Sequence, residues 1–205
     1  NAIELDDLAH LSIHPSYRDE LKSSIQNYRK AFLELFKLAR AKGLKIFINT
    51  DLMFFSDEIL HVTKVREKNV IRFMNVLLAD LFKHNDVDGV IFRIGEHDGL
   101  DVKEEFVSRI VIKNARSLKN YLKRLLVVFE SNDKTCIIRT WTLGAHRIGD
   151  LIWNRKTFHK VFDGIDSEHL IISMKYGQGD FFRNLELNPL FFETKHKKIV
   201  ELQAK

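Results

Sequence analysis

The residues of this 205-residue chain with the chemistry of an active site stand at the ends of short apolar runs. Asp6 and Asp7 follow Ala2-Ile3-Glu4-Leu5, and Asn49 and Asp51 follow Leu44-Lys45-Ile46-Phe47-Ile48. Glu96 comes after Val90-Ile91-Phe92, with Arg93 between them; Arg139 and Trp141 close the run Thr135-Cys136-Ile137-Ile138; Lys175 closes Leu170-Ile171-Ile172-Ser173-Met174. Glu201 is set in Lys198-Ile199-Val200-Glu201-Leu202. Two carboxyl groups facing each other across a pocket are the minimum equipment for cleaving a glycosidic bond: one donates a proton to the leaving oxygen, the other, ionised, attacks or activates water. Spacing alone leaves plainer roles open, with Glu96 capping a loop, Glu201 paired to a lysine and Asp51 capping a turn.

These groups need elements that bring them to one place. From Ser16 to Lys42, Leu21, Ile25, Tyr28, Phe32, Leu35 and Ala39 recur at steps of three and four, the stripe of an amphipathic helix stopped by Gly43. A second helix is expected from about Lys64 to His84, burying Phe73, Leu77, Leu78 and Leu81. A third, from about Asn114 to Phe129, carries Leu118, Leu122, Leu125 and Phe129, and a shorter one spans Arg155 to Phe162. The helices alternate with five strand-like runs, and Ala2 to Leu5 reads as the end of a sixth. That alternation is the pattern of a parallel sheet. A doubly wound open sheet and a (β/α)8 barrel both fit it. The polar strand ends favour the barrel, where such ends converge on one face; an open sheet places ligands only at a switch point, and no Gly-rich phosphate loop follows the first run.

Composition narrows the function class. Hydrophobic residues are 45% and charged residues 30%, with 9 Gly and 2 Pro, which excludes a disordered or linker-rich chain. No apolar run reaches membrane-spanning length, so no membrane insertion is expected. Lys+Arg 33 against Asp+Glu 28 is a mild and scattered basic excess, and no nucleic-acid partner is expected from it. The histidines lack metal-ligand spacing, so no metal is expected, and Cys136 within an apolar strand reads as an inert core thiol. Trp141 and Trp153 have the form of sugar-stacking groups, with burial in the core as the alternative.

Four runs, in order, resemble a known family. Thr135-Cys136-Ile137-Ile138-Arg139-Thr140-Trp141, then Leu170 through Lys175-Tyr176-Gly177-Gln178-Gly179-Asp180-Phe181, then Asn188-Pro189-Leu190, then Ile199-Val200-Glu201-Leu202-Gln203 are similar to the α-glucuronidases of glycoside hydrolase family 67. Corresponding strands of that family carry Cys-Ile-x-Arg, Lys-Tyr-Gly-x-x-Asp-Phe, Ser-Pro-Leu and Leu-Glu-Phe-Gln. The resemblance covers roughly the C-terminal two-thirds. It implies an inverting (β/α)8-barrel hydrolase that removes 4-O-methylglucuronic acid from xylo-oligosaccharides, without a cofactor. By resemblance Glu96 is the general acid, Asp180 and Glu201 activate water, and Arg139 and Lys175 bind the uronate carboxylate, for which arginine's fork is well suited. Arg93 is the nearest match to a family lysine, but it stands three residues before Glu96 rather than four; a barrel-exterior salt bridge is its alternative. The loop His97-Asp98-Gly99-Leu100-Asp101 departs from the family's Gly-Gln-Pro-Gly-like loop, so the chain reads as a divergent relative.

The expectation is therefore a hydrolase acting on a uronic-acid-containing oligosaccharide, with Trp141 stacking on the sugar and Asp51 accepting from its hydroxyls. A retaining glycosidase with Glu96 as acid/base and Glu201 as nucleophile, and a glycan-binding barrel without turnover, are the alternatives. Counted against the family, residues 1–205 are expected to be a partial barrel covering strands two to seven. Strands one and eight and any flanking domain would lie outside, leaving two unpaired edges.

Overall fold

Alternate residues of a strand point to opposite faces, so a strand apolar on one parity must bury that parity against something. In the computed structural model, which describes residues 1–94, 106–108, 110–142, 147–177 and 186–202, that something is a layer of helices on one side only. Six parallel strands form the main sheet: β1 (Ala2–Asp6), β2 (Lys45–Asp51), β4 (Gly89–Arg93), β6 (Thr135–Arg139), β7 (Leu170–Lys175) and β8 (Lys197–Glu201). Their spatial order is their chain order. Two short strands, β3 (Phe54–Phe55) and β5 (Val107–Ser108), pair antiparallel in a separate ribbon that the sequence pattern did not signal.

The strand order decides between the two expected architectures. A doubly wound sheet reverses direction at a switch point and carries helices on both faces. Here every crossover steps to the next strand in the same sense, and right-handed crossovers then place all helices on the same face. The result is an incomplete α/β barrel. On the helix side lie Ile46 and Ile48, Val90 and Phe92, Cys136 and Ile138, and Leu170, Ile172 and Met174, all with essentially no exposure. They meet α3 (Glu67–His84), α4 (Ala115–Ser131) and α5 (Arg155–Phe162); Phe92 stands edge-on to Phe129 of α4, with ring centres 6.1 Å apart. Each of these side chains, fully buried, contributes about 2 kcal/mol by leaving water. Cys136 lies among them, and burial pushes its thiol far above the usual range, consistent with an inert core group.

The helices follow their apolar stripes with two revisions. In α1 (Asp19–Ala41) the buried positions are Leu21, Ile25, Phe36 and Ala39, while Tyr28 and Leu35 are exposed. The step from Phe32 is thus four residues to Phe36, which keeps the stripe aligned over 23 residues where a step of three would rotate it away. The expected helix from Lys64 is preceded by another, α2 (Asp57–Thr63), capped by Ser56, whose Oγ accepts the Ile59 N–H at 3.3 Å. Lys64 and Val65, both at positive φ, separate α2 from α3, and the Lys64 N–H closes α2 by donating to Leu60 O at 2.9 Å. No described helix is long and apolar enough to cross a membrane.

Gly89 opens β4 where no side chain fits. A Cβ built there would stand 2.0 Å from Thr135 O and 3.0 Å from a ring carbon of Phe47. Gly89→Ala is expected to cost about 2 kcal/mol or more by forcing β4 from β6, read as a lowered midpoint in urea unfolding; an unchanged midpoint would show that the two strands separate freely.

Candidate functional site

The inner face of the sheet, opposite the helices, is where the chemistry collects. By register, Glu4 and Asp6 of β1, Phe47, Asn49 and Asp51 of β2, Ile91 and Arg93 of β4, Ile137 and Arg139 of β6, Ser173 and Lys175 of β7, and Ile199 and Glu201 of β8 all share it. A cavity of about 510 Å³ opens there, floored by Ile91 and Ile137 and walled by Glu4, Arg139, Ser173 and Glu201.

Glu201 and Arg139 are joined across the intervening strand β7. Arg139 Nε donates to Glu201 Oε1 and Nη2 to Oε2, each at 2.9 Å, and Ser173 Oγ donates to Oε1 at 2.8 Å. Both charged side chains are about four-fifths buried, at 21% exposure. Burial alone would push the Glu201 carboxyl upward; the Arg139 fork, with the Ser173 hydroxyl and the Lys175 charge, outweighs it and holds the group below the ordinary glutamate value. Lys175 pairs in register with Glu201, and its Nζ sits 4.2 Å from the centre of the Trp141 ring. An ammonium at that distance over an indole is a cation–π contact.

A second polar group lies on the adjoining strands β4, β2 and β1. Arg93 Nε donates to Asp51 Oδ1 at 3.1 Å, and Asp6 Oδ1 is 4.0 Å from Arg93 Nη1. Arg93 and Asp51 are buried at 9% and 3% exposure, so the exterior salt bridge considered for Arg93 is overturned: β4 turns it inward, opposite Asp51. Asp51, weighed as a turn cap, is instead the last residue of β2. Beyond β1, the buried Asp7 carboxylate accepts the Ala9 N–H at 3.1 Å, and desolvation pushes its pKa up to about 6. Glu4 is also shifted upward, first by burial, with the negative charges of Asp6 and Glu201 adding and Arg139 opposing. Sequence marked Asp7 only as a strand-end carboxylate and passed over Glu4, whose place within the strand gave no sign of a shared cavity.

The structure thus brings Arg139, Lys175, Trp141 and Glu201 together at the ends of β6, β7 and β8, and Asp51 and Arg93 together on β2 and β4, the latter the direct neighbour of β6. Glu96 and Asp180 lie outside the described residues. Among the described residues no group of three or more His, Cys, Asp or Glu side chains is arranged to hold a metal ion.

No family model matches the chain. No curated protein matches it either. Among solved structures it is similar to a crystal structure of a D-tagatose 3-epimerase-like protein, at 15% identity and a TM-score of 0.42, over 74% of this chain and 52% of that one. The chain spans about half the length of that neighbour. What makes the sheet an incomplete barrel is its own strand order and one-sided helix layer.

Two charge-linked outcomes follow. Glu201 is held below its unfolded pKa, so the stabilisation from its pairing is present above about pH 4.5 and fades as pH falls through the folded value. Arg139→Gln is therefore expected to lower stability by about 2 kcal/mol at pH 7 and by much less at pH 3, compared as urea midpoints; an equal loss at both values would assign the effect to packing. Asp7 has the opposite sign: its folded value of about 6 lies above 3.8, so ionising it opposes folding as pH rises through that window. Asp7→Asn keeps an acceptor for Ala9 and is expected to stabilise the protein by about 1–3 kcal/mol at pH 8 and hardly at all below pH 4, read the same way.

Proposed function

We propose that this chain forms the catalytic core of a glycoside hydrolase that removes a terminal α-linked uronic acid, glucuronic or 4-O-methylglucuronic, from an oligosaccharide. The observation that carries the reading is the Arg139–Glu201 pair in the wall of the inner cavity, with Lys175 in register beside Glu201 and over the Trp141 ring. It supplies cations for a sugar carboxylate, an aromatic face for the ring and a carboxylate kept ionised for water activation. The ordered resemblance of the four sequence runs to family 67 α-glucuronidases supports the same substrate class.

In this reading Glu96, in its protonated form, gives its proton to the glycosidic oxygen as the bond to the anomeric carbon breaks. Water attacks that carbon from the opposite side, and Asp180 with Glu201 orients it and takes its proton. Glu201 meets the requirement on a base, ionisation in a partly buried site, because Arg139 and Ser173 hold it so. Arg139 has a double part, since the guanidinium that a uronate carboxylate would approach is the one already forked to Glu201. Lys175 beside it supplies the second positive charge that keeps the region attractive to an anion.

The test is hydrolysis of a xylo-oligosaccharide bearing terminal 4-O-methylglucuronic acid, with the product anomer followed by proton NMR. Release of the β-anomer is expected. Release of the α-anomer would replace single displacement by a retaining path with Glu201 as nucleophile. No release from this or from glucuronosyl substrates would overturn the assignment. Glu201→Gln is expected to lower kcat by about 10²–10⁴-fold, with the fold kept, as checked by circular dichroism.

A further inference from the structure

The inner ends of β1, β2 and β4 hold a side chain that the scheme above does not use. Asn49 is on β2, in register with Asp6 of β1 and Ile91 of β4, and so on the same face as Asp51 and Arg93. It is buried, with 6% exposure, and among the described residues its Oδ1 accepts no hydrogen bond. A buried amide oxygen left unsatisfied is disfavoured, and barrel interiors at this position ordinarily fill with branched apolar side chains. Here the face instead presents Asn49 among Asp6, Asp51 and Arg93.

The surrounding charges restrict what completes it. Arg93, held between Asp51 and Asp6, puts a positive charge where a cation would have to sit, and the two carboxylates disfavour an anion. A neutral group with an O–H satisfies both limits: it donates to Asn49 Oδ1 and accepts from the Asn49 amide N–H. We propose that this end of the face is a hydroxyl-binding subsite for the same sugar ring whose carboxylate lies toward Arg139 and Lys175, with Asn49 as its specificity residue. The inference rests on the sugar-site reading and names the strands of the inner face, beside the cavity, that take the hydroxyls.

The experiment titrates the full chain with D-glucuronate and, separately, with D-glucose by calorimetry, for wild type, Asn49→Leu and Asn49→Ala. Thermal unfolding of each protein and steady-state cleavage of the uronosyl oligosaccharide are measured alongside. The expected result is that both variants bind both sugars about tenfold or more weakly, the loss of one hydrogen bond to a buried polar group. Their unfolding midpoints stay level or, for the near-isosteric leucine, rise. Alanine provides a variant that cannot overpack the site should leucine do so. Unchanged binding in both variants overturns the subsite, as does weakened binding that accompanies a lowered midpoint in both, which would make Asn49 a structural residue. Cleavage with an unchanged KM in both variants removes the subsite and leaves the hydrolase standing. Binding of glucose that depends on Asn49, without cleavage of any uronoside, does the reverse. A wild type that binds neither sugar removes both.

Discussion

The structure depends on the two-residue period of its strands combined with crossovers that all step the same way. Helices can then cover only one face, so each strand has one parity packed against helices and one facing inward. The outer parity is nearly pure Ile, Val, Leu, Phe, Cys and Met, as burial under helices requires. The inner parity is released from that demand toward the C-terminal ends of the strands, and there it turns polar. No further device is needed to gather groups from β1 to β8 in one region, because a curved sheet with consecutive neighbours does it.

Gathering charged groups in a partly dry region has an electrostatic cost that pairing must offset. The inner face handles it in two ways. Glu201 is matched with Arg139 of β6, which holds it below the ordinary glutamate value, and Asp51 is paired with Arg93 of β4. Glu4 on that face, and Asp7 just beyond β1, lie where burial dominates and are displaced the other way. Carboxyl groups displaced in opposite directions within one fold are the raw material of acid–base chemistry.

Much of this was legible in the sequence, and what was not has identifiable physical causes. The apolar stripes of α3 and α4 and the strand runs gave the layout because burial on one side imposes a period. Leu35 was misplaced in α1 because steps of three and four are both allowed, and only the packed neighbour chooses between them. The break at Lys64 was missed because a left-handed cap made by lysine and valine carries no glycine signature. Asp51 was open to a turn-capping role, since Asn-Thr-Asp is turn-like, yet β2 runs through it and turns it inward with Asn49. The pairing of Arg139 with Glu201, 62 residues apart, needs two strands to share a neighbour and a parity, which no local pattern encodes.

The Arg139–Glu201 fork ties strand order to occupancy. β8 is an edge strand, bonded on one side only to β7, and Glu201 is its last residue. Its carboxylate reaches over β7 to a guanidinium on β6 and so rivets the free edge to the sheet interior. A carboxylate-bearing ligand arriving at Arg139 becomes a competitor for that rivet. Under the proposed function, binding a sugar carboxylate and securing the sheet's margin would draw on the same two N–H bonds, and the margin's dynamics would report on the site.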